Sequence, residues 1–331
     1  MSSPAERALQ HVRALAGPAA APPGVLDHAR ITVSFHPDRL AGTATVAELL
    51  ARDGVYRSQF ETGISNGGLT AYPGGDRDRW EQRMFAGAYP SALTVGRPVY
   101  GGLNLAGHLD GASPRFGSCY LRLTAAVTRR ATFSHGDSFT EPTVVGTADT
   151  FGAIYDVLLD EVARTGKALG LGAASAAQWV AALSVPRTAP GRALDNYVEA
   201  QVHGGVELSA DVEAVVADPS FHGTPTGDLL AGLGLPLSWH PGFTLAPDEF
   251  PAALRGPVAP VLAGHLASRY GVQLIDAALI GRAAREVVRE PARWTAFDVP
   301  LQQLKYLWHI LVLRGQPAVT EHPDRPPQGQ H

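Results

Sequence analysis

Tyr197-Val198-Glu199-Ala200-Gln201-Val202-His203-Gly204-Gly205-Val206-Glu207-Leu208 is the stretch on which the reading of this chain turns. Apolar and polar residues alternate through it, and a strand repeats every second residue. Glu199, Gln201 and His203 therefore share one face, and Val198, Ala200 and Val202 the other. Gly204-Gly205 turns the chain toward a second strand-like run, Val212 to Val216. Three polar side chains on one strand face need either a polar site or the solvent of an exposed edge strand, and both readings stand at this point. A carboxylate on a rigid strand, beside an amide and an imidazole, is a group that can stabilise a cation or hold a hydroxyl.

Working outward, Ile31 to Phe35, Val99 to Leu105, Gly117 to Leu123 and Ala131 to Ser134 read as further strands. Residues 1–15, Asp76 to Ala86, Phe151 to Gly166 and Ala173 to Leu183 read as helices. Thr45 with Glu48 has the spacing of a capping box, which starts a short helix through Ala51. Tyr56 to Gly75 reads as a long polar, glycine-rich loop. Residues 228–250 read as irregular, and Pro257 to Arg314 as helical with interruptions near Gly271 and Pro291. No regular βαβ repeat emerges, so the expected class is α+β. No G-x-G-x-x-G follows a strand, and no P-loop is present.

The 331 residues are 45% hydrophobic, enough for a sizeable core, and the formal net charge is -4. That balance offers no basic face for duplex nucleic acid. One cysteine, Cys119, forms no intramolecular disulfide and no multi-thiolate zinc site. Met1 to Ala21 lacks a cationic start before an apolar core, and no run approaches the about 20 apolar residues of a membrane span. The expectation is a bacterial cytoplasmic protein with no membrane partner; export as an effector without a signal peptide stays open.

Several residue groups can carry chemistry. His36 and Arg39 follow the first strand, either as a ligand-binding pair or as ordinary turn residues of His-Pro-Asp. The Tyr56–Gly68 stretch brings Arg57, Ser58, Ser65, Asn66 and Gly67 into a loop whose backbone can approach a ligand closely. Tyr100, Asn104, Phe116 and Ser118 enter strands, where the aromatic rings either stack on a ligand or fill the core. His135-Gly136-Asp137-Ser138, with His203, raises a metal site, but no ligand spacing supports one and none is expected.

His36-Pro-Asp-Arg39, Tyr56-Arg-Ser-Gln-Phe-Glu-Thr-Gly63, Tyr100-Gly-Gly-Leu-Asn104, Phe133 to Ser138 and Glu199-Ala-Gln-Val-His-Gly204 resemble the bacterial family "domain of unknown function 3626" over most of residues 25–285. More distantly, the layout resembles the ADP-ribosyltransferase superfamily. Those folds have a first strand ending in His or Arg, a short helix, a glycine-rich stretch, an aromatic- or serine-bearing strand, and a late strand carrying the catalytic Glu. His36, Arg39 or Arg57 matches the first motif, Tyr100 or Ser118 the second, and Glu199 the third. The chain departs from the pattern in lacking a Ser-Thr-Ser run and in having Glu199-Ala-Gln201 in place of Glu-x-Glu.

The resemblance implies a small mixed or antiparallel sheet core over residues 25–250. An N-terminal helix and linker (1–24) precede it; a helical C-terminal segment (251–316) and a disordered tail (317–331) follow. It implies NAD as substrate, Glu199 as the catalytic carboxylate, and Gln201 or His203 positioning an acceptor. The binding residues are then His36, Arg39, Arg57, Ser58, Ser65, Asn66, Gly67, Tyr100, Asn104, Phe116 and Ser118. The acceptor is a protein, a nucleic acid or a small molecule; water would make the enzyme an NAD glycohydrolase. The rival readings are a metal-dependent hydrolase using His135, Asp137 and His203 with a carboxylate, and a non-catalytic nucleotide-binding or effector protein.

Overall fold

The computed structural model describes residues 2–64 and 69–318. One eight-stranded sheet organises the chain. Its strands are β1 (Ile31–Phe35), β2 (Val99–Leu103), β3 (Cys119–Leu123), β4 (Ala131–His135), β5 (Val145–Thr147), β6 (Val198–Val202), β7 (Val212–Ala217) and β8 (Leu237–Trp239). They lie in the order β8-β7-β3-β1-β2-β6-β4-β5. The β7–β8 pair is parallel and the other neighbours are antiparallel, so the sheet is mixed. The longer helices are α1 (Pro4–Ala16), α2 (Val46–Asp53), α3 (Asp76–Met84), α4 (Gly152–Thr165), α5 (Val258–Tyr270), α6 (Ala277–Arg289) and α7 (Pro300–Arg314). The protein is α+β, with a helical C-terminal segment.

Local sequence explains where these elements begin and end. The Thr45–Glu48 capping box forms in both directions: Thr45 N–H donates to Glu48 at 2.6 Å and Glu48 N–H to Thr45 Oγ1 at 3.2 Å. Gly54 closes α2 in the left-handed conformation, as Gly166 closes α4 and Gly271 closes α5. Three details differ from the sequence reading. The irregular 228–250 stretch contains edge strand β8. The long polar loop is partly ordered: Val55–Tyr56 pairs with Val206–Glu207, and Gln59–Thr62 makes one helical turn. The exposed-edge reading of the Glu199 strand is wrong, because β6 is flanked by β2 and β4. The expected disordered tail lies outside the described residues from position 319 onward.

The two faces of β6 separate as its alternation requires. Val198, Ala200 and Val202 enter the main apolar core. On that face Phe133 of β4 meets Phe151, just ahead of α4, at 5.6 Å between ring centres. The opposite face is polar, with Thr132 and Ser134 of β4 in register with Gln201 and Glu199. A second apolar cluster is built from α1 (Ala8, Val12), α3 (Trp80, Met84) and the chain beyond it (Phe85, Tyr89). The C-terminal helices share the main core, and Trp308 of α7 donates its indole N–H to the Pro114 carbonyl at 2.9 Å.

Candidate active site

The strands β1, β2 and β6 are consecutive neighbours, and a cleft opens where their residues meet the turns above them. It encloses about 1010 Å³ out to its mouth. The backbone floor requires glycine: a methyl group on Gly101 of β2 would stand 2.6 Å from the Thr32 carbonyl oxygen.

Glu199 is at the heart of this cleft and only 4% exposed. Its Oε1 accepts from Gln201 Nε2 at 3.0 Å. Its Oε2 accepts from Ser138 N–H at 3.3 Å, Ser138 Oγ at 3.1 Å and Tyr197 OH at 3.2 Å. Burial pushes this carboxyl above the usual carboxylate range, and the charge of Asp137 adds to that. Arg77, Gln201 and the Ser138 N–H act in the opposite direction.

Arg77, on the first turn of α3, is 3% exposed. Its guanidinium donates to Ser138 Oγ and lies 4.0 Å from the centre of the Tyr100 ring. Its Nε is buried without a hydrogen-bond partner, as are Ser34 Oγ and Gln59 Oε1, which also line the cleft. Buried polar atoms of native proteins are normally paired with protein, water or ligand, so these three leave hydrogen-bonding capacity in one cleft. Tyr100 donates its OH to Glu81 Oε1 at 2.8 Å. Glu81 and Asp78 each meet fully buried Arg97 at 2.7 Å, which pins α3 to the chain entering β2.

The cleft gathers seven of the residues expected from sequence: Glu199, His36, Arg39, Arg57, Ser58, Tyr100 and Phe116. His36 is half-buried; burial, with Arg39 and Lys305 nearby, pushes its imidazole down to about 3, so it is neutral. Arg57 is paired with Asp53 at 3.1 Å and Glu61 at 3.4 Å on the outer rim. Phe116 and Tyr197 make an edge-on pair at 5.8 Å in the wall.

Four expected residues do not line it. Gln201 is fully buried between Glu199 and Thr132, so it orients the carboxylate and cannot meet an acceptor. His203 is also fully buried, stacked on Tyr89 with its Nδ1 2.6 Å from the Tyr89 hydroxyl, and it faces Phe85. The acceptor role expected for these two is therefore corrected to a structural one. Asn104 closes its own turn through two bonds to the His108 backbone. Ser118 stands behind His36, its Oγ 3.4 Å from Nδ1. Ser65, Asn66 and Gly67 lie outside the described residues.

Sequence reasoning missed Arg77, Ser138 and Tyr197 as site residues. A signal existed for Arg77: it shares helical spacing i, i+3, i+4, i+7 with Trp80, Glu81 and Met84, which sets two charges on an anchored face. Tyr197 has the same strand parity as Glu199. The metal constellation does not assemble. His135 approaches Glu161 at 3.7 Å, Asp137 Oδ1 accepts from Phe139 N–H at 2.8 Å, and His203 is sequestered against Tyr89. Among the described residues no three His, Cys, Asp or Glu side chains converge in a metal-holding group.

A family model described as protein of unknown function (DUF3626) matches residues 30–313. The chain belongs to this family. The DUF3626 match runs from the residue before β1 into α7, so the cleft and the C-terminal helices lie within one family unit. No curated protein matches the chain. Among the described residues, no helix is long and apolar enough to cross a membrane.

Proposed function

We propose that the cleft cleaves the nicotinamide–ribose bond of NAD and transfers ADP-ribose to an acceptor or to water, with Glu199 as the catalytic carboxylate. The observation that carries this reading is adjacency. The three segments matched to the ADP-ribosyltransferase motifs are remote in sequence, yet their strands β1, β2 and β6 are hydrogen-bonded neighbours, and His36, Tyr100 and Glu199 line one cleft.

The chemistry suits those groups. As the C1′–N bond breaks, its electron pair leaves with nicotinamide and positive charge grows on the ribose. A fixed carboxylate beside the ribose stabilises that charge without reorganising. Glu199 Oε1 accepts one hydrogen bond within the protein, leaving lone-pair capacity for a ribose hydroxyl. Arg77 Nε, Arg39 and Arg57 supply cationic donors for the phosphates, and Tyr197 and Phe116 offer aromatic edges to a ring. The new bond forms between C1′ and the acceptor, whose proton passes to solvent.

Nicotinamide release from NAD tests the reading. Glu199→Gln keeps the shape and the bond to Gln201, and is expected to lose about 100-fold or more in rate. Equal rates in the two proteins, or no binding of NAD, would overturn it.

A further inference from the structure

A second depression opens between the first half of α6 and residues 221–226, and Asp38, in the turn after β1, borders it. It encloses about 1000 Å³ out to its mouth and shares no lining residue with the cleft.

Four charged side chains line it. Two of them are committed within the protein. Asp276 caps α6, accepting from Leu279 N–H at 2.8 Å, and Arg282 meets Glu286 at 3.7 Å. The other two are not. Asp38 is 2% exposed, and its Oδ2 is buried without a hydrogen-bond partner. Arg285 is half-buried, and among the described residues its guanidinium makes no hydrogen bond and no ion pair. Its charge is felt by Asp38 and by Glu48 without contact with either.

Burial pushes the Asp38 carboxyl up to about 7; Arg285 opposes the shift and Asp276 adds to it. A cationic donor beside Asp38 would restore its ionised form. A guanidinium at the same depression offers a planar fork of donors, which fits a carboxylate. One ligand that satisfies both groups carries an ammonium and a carboxylate close together.

The rest of the wall is largely apolar. Val272, Leu274 and Leu279 line it with Phe221, and Leu274 is 50% exposed. A zwitterion with no side chain would leave that carbon in water; one with an aliphatic side chain would cover it.

We infer that this depression binds a free α-amino acid with an aliphatic side chain. The ammonium meets Asp38, the carboxylate meets Arg285, and the side chain lies on Leu274. The site is independent of the NAD reading of the cleft.

Titration calorimetry on the full chain tests it with L-leucine, glycine, 4-methylpentanoate and 3-methylbutylamine. The last two are leucine without its ammonium and leucine without its carboxylate. L-leucine is expected to bind about tenfold or more tightly than each of the other three. Asp38→Asn keeps the shape of the side chain. It is expected to bring leucine down to the affinity of 4-methylpentanoate while leaving that probe unchanged, which also shows the variant to be folded. Arg285→Gln is expected to bring leucine down to 3-methylbutylamine and to leave the amine unchanged. Leu274→Ser is expected to bring leucine close to glycine. Wild type that binds no L-leucine, or an affinity indifferent to both Asp38→Asn and Arg285→Gln, overturns the site. If 3-methylbutylamine binds as tightly as leucine and Arg285→Gln weakens neither, the depression takes an amine and the amino-acid assignment falls. If 4-methylpentanoate matches leucine and Asp38→Asn weakens neither, it takes a carboxylate and the assignment falls equally.

Discussion

Arg77 reaches Glu199 through one hydroxyl: Ser138 Oγ accepts from the Arg77 guanidinium and donates to Glu199 Oε2 at 3.1 Å. The arrangement favours the ionised carboxylate against the burial that opposes it. It also leaves the Arg77 Nε without a protein partner, available to a ligand.

Ser138→Ala removes one donor to the charged form of Glu199, so its carboxyl rises further above the usual range. If catalysis needs the carboxylate, the acid limb of nicotinamide release moves to higher pH, by about half to one unit for one lost hydrogen bond. Rates across pH for wild type and Ser138→Ala check this. A limb that stays in place would show that Glu199 ionisation does not control the reaction.

Arg97 is fully buried and meets two buried carboxylates, Asp78 and Glu81, each at 2.7 Å. Removing one partner of a buried ion pair leaves uncompensated charge, at about 3–5 kcal/mol. Arg97→Met is expected to destabilise the fold by that order. It also frees Glu81, which holds Tyr100. Urea unfolding gives the loss; a change below about 1 kcal/mol would mean that the carboxylates find other partners or protons.

Period-2 alternation was enough to divide β6 into a polar and an apolar face, and capping chemistry was enough to start α2 at Thr45. Both are local signals. What lies on the polar face of β6 is not local. Glu199 and His203 have the same parity, but His203 is covered by Phe85 and Tyr89 and Glu199 opens to the cleft. That difference is set by where the chain after α3 crosses the sheet. Arg77 escaped notice for the same reason: its partner Ser138 is 61 residues away. Strand β8 is three residues long at a sheet edge, too short for any periodicity, and prolines flank it at Pro236 and Pro241.

His203 is held neutral, burial and Arg130 having pushed it down to about 3. The unfolded chain takes up a proton near the ordinary value of 6.5, and the folded protein does not. Stability from this residue is therefore present above about pH 6.5 and lost as pH falls toward 3. His203→Gln is expected to cost about 1–3 kcal/mol at pH 7, from the lost stacking and hydrogen bonds. At pH 4 the deficit is expected to vanish or reverse, because wild type has by then lost roughly 3 kcal/mol that the glutamine never contributed. Urea midpoints at the two pH values give the comparison; a deficit equal at both would mean that the folded imidazole titrates normally.

Gly281 sits inside α6 because Asp38 occupies the space its side chain would fill. A methyl group on Gly281 would stand 1.7 Å from Asp38 Oδ2, an atom buried without a hydrogen-bond partner. Gly281→Ala gains helix propensity of about 1 kcal/mol yet is expected to destabilise by about 1–3 kcal/mol net, through overpacking. Burial raises the Asp38 carboxyl to about 7, with Asp276 adding to the shift and Arg285 opposing it. A raised folded value means that stability from Asp38 is complete below about pH 4 and is lost as pH rises through about 7. Asp38→Asn stops that loss, so the variant is expected to gain on wild type between pH 5 and pH 8 by about 2–3 kcal/mol. Asp38→Ala vacates the carboxylate's space, and in that background Gly281→Ala should become neutral or stabilising. The coupling in this double-mutant cycle is then on the order of 2 kcal/mol. Simple additivity would show that the carboxylate and the helix backbone do not compete for the same space.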